Sequence, residues 1–133
     1  MLLIDKNNLF IYGIKVVVFF DLETTGINIG KDRIVEISML KIFPNGNKES
    51  NTWLVNPEIE IPAETSAIHG ITNERVVTEP TFKELAQTVY NLIDDADLAG
   101  FNSPLIIVFF IMRLVERLIA HHKKAPPPLQ LVG

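Results

Sequence analysis

A chain of 133 residues with a formal net charge of −4, 47% hydrophobic and 21% charged residues and no cysteine can build one packed core and is too short for two. The acidic balance excludes a protein that coats nucleic acid through a broad basic face, and the missing cysteines exclude disulfides, thiolate metal sites and a thiol nucleophile. Asp5 and Lys6 interrupt the only stretch that could serve as a signal peptide, and the longest purely apolar run, residues 105–112, is far below the ~18 residues that cross a bilayer. A reducing cytoplasm and no membrane contact are the expectation.

Residues 1–15 read as an N-terminal extension. Val16, Val17, Val18, Phe19 and Phe20 form a continuous β-branched and aromatic run, a buried strand stopped by Asp21, after which Thr24, Thr25 and Gly26 turn the chain. Residues 33–43 alternate with apolar groups on both faces, a second and largely covered strand. Asn45 and Gly46 follow Pro44 as a hairpin turn, since Asn-Gly readily supplies positive φ, and residues 48–55 return as a third strand. The opening unit is therefore an antiparallel meander.

Asn56 and Pro57 end that strand, and residues 62–70 look like a short helix with proline near its start and glycine at its end, which puts His69 at a helix terminus. Thr81 and Glu84 have the spacing of a capping box, and Phe82, Leu85, Ala86, Val89 and Ile93 share one helical face, so a helix runs over residues 81–93. Asp94 and Asp95 then read as a solvated turn with Asp97 beside it, and residues 97–101 as a fourth strand. Strands interleaved with helices give an α/β layering. Beyond Ser103 the eight apolar residues suit either a helix or a strand, the helix being preferred, and the last dozen residues with three consecutive prolines read as a loose end. His121 and His122 read as the exposed basic end of that helix.

Asp21 and Glu23 stand two apart at the end of a hydrophobic strand, so strand periodicity points both carboxylates to one side. Two such groups repel unless a cation separates them. Mg²⁺ or Mn²⁺ suits that position, because hard divalent ions take oxygen ligands and keep water and substrate phosphate in their remaining places, and such ions hydrolyse phosphodiesters.

The run from Phe19 to Gly26, Phe-Phe-Asp-Leu-Glu-Thr-Thr-Gly, resembles the first exonuclease motif of the DnaQ-like 3′-to-5′ exonucleases, the family of the polymerase III epsilon subunit. Glu64 stands five residues before His69, Gly70, Ile71 and Thr72, the spacing of a second family signature, and Leu98 to Ser103 is similar to the start of a third. The resemblance implies a ribonuclease H-like mixed sheet of three antiparallel strands followed by a parallel one, with flanking helices and an incomplete C-terminal part. It implies metal ligation and catalysis by Asp21 and Glu23. Substrate contact is implied for Leu22, Thr24, Glu64, His69 and Asn102. The implied substrate is the single-stranded 3′ end of DNA, RNA not being excluded, and the implied protein partner is a replicative polymerase. The bland alternatives are a helix-end histidine bonded to a backbone carbonyl and, for Glu64, a first-turn acid that favours the helix dipole.

The quoted motifs cover residues 16–103, taken as the exonuclease-like core, with residues 104–133 a divergent helix and tail. The family places an aspartate four or five residues after the asparagine, where this chain has Ile106 and Ile107. It also pairs a late histidine or tyrosine with an aspartate, and no acid follows Glu116 here. The missing carboxylate and base leave three expectations open: a weak or inactive member of an exonuclease lineage, a silent nucleotide-binding relic, or a non-functional fragment. The abrupt change of composition after Ser103 is what a shifted reading frame or truncated gene produces.

Overall fold

The computed structural model describes residues 15–100 and 104–124, with side chains described over residues 109–119 of the final helix. Four strands, β1 (Val16–Thr24), β2 (Ile34–Ile42), β3 (Lys48–Leu54) and β4 (Ala96–Gly100), form one sheet in the order β3-β2-β1-β4. The first three make the expected antiparallel meander, and β4 lies parallel to β1 with Val16 opposite Ala96 and Phe20 opposite Gly100. Gly46, at φ +88°, makes the turn between β2 and β3 as the Asn-Gly pair foretold.

The helices are α1 (Ala63–His69), α2 (Asn73–Val76), α3 (Phe82–Ile93) and α4 (Pro104–Lys124). Thr81 caps α3 through the reciprocal box with Glu84, and its five buried residues are those of the predicted apolar face. The preference for a helix after Ser103 holds. Asparagine 102 lies outside the described residues, as do the side chains of His121 and His122.

One face of the sheet is covered by α3 and α4. Val18, Phe20 and Leu22 of β1 and Ile37 and Met39 of β2 meet Val89, Ile93, Phe110 and Leu114 there in the main core. The Phe20 and Phe110 rings stand 4.8 Å apart, and Phe82 and Phe110 stand 6.4 Å apart, separations at which aromatic pairs add to simple burial. Lys41 also projects onto this face, only 8% exposed. Its Nζ donates to Leu92 O at 2.9 Å and to Asp95 Oδ1 at 3.0 Å, which places a cation at the carbonyl end of α3. Asp95 is thus the anchor of a buried lysine rather than merely a solvated acid, and Asp97 stands in β4, as the strand reading of residues 97–101 has it.

A smaller cluster of Val35, Ile61, Ile71 and Val76 lies under α1 and α2. Val35 reaches it because the β1–β2 register shifts between Glu23 and Thr24, and such an irregularity turns one residue out of the alternation. The shift sits at the end of β1 that carries the acids.

Candidate active site

Alternation along β1 sets the site. Because Val18, Phe20 and Leu22 enter the main core, Asp21 and Glu23 project from the opposite face. β1 continues through Thr24 instead of stopping at Asp21, so both carboxylates stand within a paired strand, Asp21 opposite Ser38 and Glu23 opposite Glu36. Leu22, implied by the motif as a substrate contact, is 5% exposed and belongs to the core; only its main chain faces the acids, its N–H donating to Asp21 Oδ1 at 3.0 Å.

Glu36 is the acid that sequence reading passed over. In the sequence it is one polar member of an alternating strand, and only the register shows it directly across from Glu23. Like charges in that relation repel. Burial pushes the Glu23 carboxyl above its ordinary value of 4.5, the neighbouring Asp21 pushes it further, His69 opposes them, and Glu36 adds to the rise. No ion pair among the described residues engages Asp21, Glu23 or Glu36. The corner therefore concentrates negative charge, which His69 opposes in part.

The histidine reaches this corner through α1. No side chain of α1 itself is buried, so the helix is held at its flanks and by polar ties. Ile61 and Ile71 are each 2% exposed, and Asn73 closes the segment by accepting the Ile61 N–H at 2.8 Å. Thr65 Oγ1 donates to Thr25 O at 3.1 Å, and His69 Nε2 lies 3.2 Å from Thr24 O. Gly70, at φ +76°, ends α1 in the left-handed conformation that glycine adopts without strain. That reversal lets the Ile71 N–H donate to His69 Nδ1 at 3.1 Å. With Nδ1 accepting, the proton resides on Nε2 and is donated to Thr24 O. Both ring nitrogens are engaged, so His69 forms a wall of the corner rather than a free proton carrier. The carbonyl-bonded helix-end histidine is thus realised, and its carbonyl belongs to the acidic motif.

The loop over residues 25–33 is equally tied. Thr25, 1% exposed, donates from Oγ1 to Asp32 Oδ1 at 2.8 Å and accepts the Arg33 N–H at 3.0 Å, while Asp32 Oδ2 accepts the Asn28 N–H at 2.8 Å. A Cβ on Gly26 would lie 2.5 Å from Asp32 Oδ2, so glycine is required there by close approach. Ile27 on this loop and Ile68 beside His69 are 99% and 86% exposed, two apolar side chains left in solvent. Glu64 stands in the first turn of α1, exposed, with no bond to either acid.

Among the described residues no three His, Asp or Glu side chains are grouped to enclose a metal ion. Two carboxylates alone still fit Mg²⁺ or Mn²⁺, which bind through one or two carboxylates with water and phosphate completing the shell, and the raised carboxyl of Glu23 records what a cation there would relieve.

A strand ending in paired acids, continuing an antiparallel meander on one side, paired with a parallel strand on the other and covered on one face by helices, defines a ribonuclease H-like fold. The exonuclease family model RNase_T matches residues 18–132. The chain belongs to that exonuclease family. The match extends past Ser103 to residue 132.

The chain is 37% identical over 113 residues to a DNA polymerase III subunit epsilon-like protein of Rhodobacter capsulatus, covering 82% of this chain and 16% of that protein. It is 42% identical over 87 residues to an uncharacterized exonuclease of Escherichia phage 186, covering 65% and 42%. The DNA polymerase III subunit epsilon of Treponema pallidum is 31% identical over 90 residues, with 68% and 42% covered. The chain thus spans less than half the length of these relatives. Among solved structures, exonuclease I of Methylocaldum szegediense superposes with a TM-score of 0.59 at 20% identity over 66% of this chain and 20% of that one, a likeness of fold.

Proposed function

We propose that this chain carries the metal-binding half of a 3′-to-5′ exonuclease site, in which Asp21 and Glu23 hold Mg²⁺ or Mn²⁺ against the terminal phosphodiester of a single DNA strand. The observation that carries it is the convergence of both carboxylates on one sheet face beside a histidine tied to the backbone of the same motif. A metal held by Asp21 and Glu23 would supply activation of a water and stabilisation of the leaving 3′ oxygen. The chain's own residues position and shield. Asp21 and Glu23 fix the ion at the rigid end of β1. Thr24 and His69 wall the pocket, and Glu64 and Asn102 contact the terminal nucleotide. Leu22 contributes its main chain alone. The exposed Ile27 and Ile68 suit apolar contact with base faces, a use that accounts for their lying in solvent.

Named polymerase III subunits among the relatives support a replicative polymerase as protein partner, and with it the cytoplasm; no helix among the described residues is long and apolar enough to cross a membrane. Ile106 and Ile107, at the positions where the family motif has its third carboxylate, favour a second reading in which the chain grips a 3′ nucleotide without cleaving it. Titration with Mn²⁺ followed by electron paramagnetic resonance, alongside digestion of a 5′-labelled single-stranded oligonucleotide, tests both. The first reading expects saturable Mn²⁺ binding lost in Asp21→Ala together with measurable shortening from the 3′ end. Binding of Mn²⁺ and thymidine monophosphate without shortening establishes the second, and no Mn²⁺ binding by the parent chain sinks both.

A further inference from the structure

We infer that Arg113 is a positioning residue for the acidic corner, acting from α4 through the loop that follows β1. This inference rests on the assignment of Asp21, Glu23 and His69 to the nucleotide site. Arg113 lies outside every motif in the sequence, yet its side chain is only 13% exposed and its Nη2 donates to two loop carbonyls, Ile29 O and, at 2.8 Å, Asp32 O. The guanidinium is held in that pose from two further directions, by Glu116 Oε2 at 2.9 Å from Nη1 and by the Phe109 ring at 5.2 Å. A planar fork held so rigidly fixes its acceptors better than a single flexible ammonium could.

What Arg113 holds is connected by hydrogen bonds to the site. Asp32, whose carbonyl it grips, binds Thr25 Oγ1 and the Asn28 N–H through its carboxylate. The Thr25 and Thr24 carbonyls in turn receive Thr65 and His69 of α1. The far end of the loop is thus clamped to α4 and its near end carries α1. Loop carbonyls would otherwise turn to water, and the loop would take the mobility typical of an unsupported connection. The C-terminal helix of this chain, although it lacks the family's acid, therefore fixes where the N-terminal acids and the histidine meet.

The test is the ¹⁵N spectrum of the His69 ring in the metal-free chain, which reports the Nε2–H tautomer and its bond to Thr24 O. Arg113→Met is expected to lose that signature, while Mn²⁺ affinity falls about tenfold, the lower range for removal of a group that orients a ligand. Leu114→Ala, which opens the core beside the same residue, and Glu116→Gln, which removes only the brace, are expected to leave the His69 resonances in place. An unchanged His69 spectrum in Arg113→Met, or an equal shift in Leu114→Ala, overturns the inference. If the methionine variant does not fold, Arg113→Lys decides: one carbonyl can still be reached, so an intermediate His69 shift is expected and an unmoved spectrum refutes. Failure of the parent chain to bind Mn²⁺ would defeat the proposed function and leave the His69 readout to judge Arg113.

Discussion

Behind the sheet, Phe20, Phe82 and Phe110 interlock with α3 and α4 in an apolar core; in front of it, α1 buries none of its side chains and hangs from two backbone carbonyls. The first region is held by area removed from water, which is strong and indifferent to direction. The second has the small cluster of Val35, Ile61, Ile71 and Val76 beneath it, and α1 itself is held by individual hydrogen bonds, each worth about 1 kcal/mol net and each strict in geometry. The division separates the two tasks of a small domain. Apolar packing supplies most of the stability, and the polar corner spends none of its surface on burial that its exposed groups need for a ligand.

Substitutions that fall on one side only can break this comparison. The largest expected effect is that of Phe110→Ala: the ring is fully buried, and truncation costs about 3–5 kcal/mol, a large share of the 5–15 kcal/mol typical of a whole domain. Urea denaturation should show the loss, and a residual folded fraction should bind Mn²⁺ with parental affinity; a selective loss of metal binding would show that the regions are not separable. Gly26→Ala acts on the other side. Its Cβ would strike the Asp32 carboxylate, which is already committed to Thr25 and Asn28, so a loss of about 1–3 kcal/mol is expected, accompanied here by weaker Mn²⁺ binding. Parental affinity in a destabilised Gly26→Ala would refute the role given to the loop.

The smallest effect is the most diagnostic. The folded state holds the Glu23 proton more tightly than the unfolded chain does, because burial and Asp21 raise its carboxyl above 4.5. Between the ordinary and the raised value the folded state binds more protons, so this group's contribution to stability falls as pH rises through that window. Without metal, Glu23→Gln should therefore melt higher than the parent at neutral pH and indistinguishably from it at about pH 4, below the window. Saturating Mg²⁺ should reverse the order at neutral pH by stabilising only the parent. A parent that melts higher at neutral pH without metal would contradict the electrostatic account of the corner.

Much of this was legible from residue patterns because it depends on neighbours in the chain. The meander, the Asn-Gly turn, the capping box at Thr81 and the glycine end of α1 each follow from short windows whose physics is local, and the carboxylates were found by period-two alternation. That same alternation sends Leu22 into the core, a consequence the motif resemblance obscured. Glu36 and Arg113 were missed because their roles arise from register and from packing across 81 residues of chain or more, which no window contains. The brief α2 went unread because Asn73–Val76 is one turn, too short for a periodic signal. Lys41 stands on an apolar face of the alternating strand, and only the placement of α3 shows what it bonds.

That lysine decides how the molecule comes apart. Its ammonium joins the end of β2 to the closing turn of α3, so fraying that turn breaks a hydrogen bond and an ion pair that also hold the strand. Fraying at the end of α3 is thereby made conditional on parting from β2. The backbone amides of that helix and strand consequently trade their hydrogens with water as one cooperative unit instead of from the helix end inward.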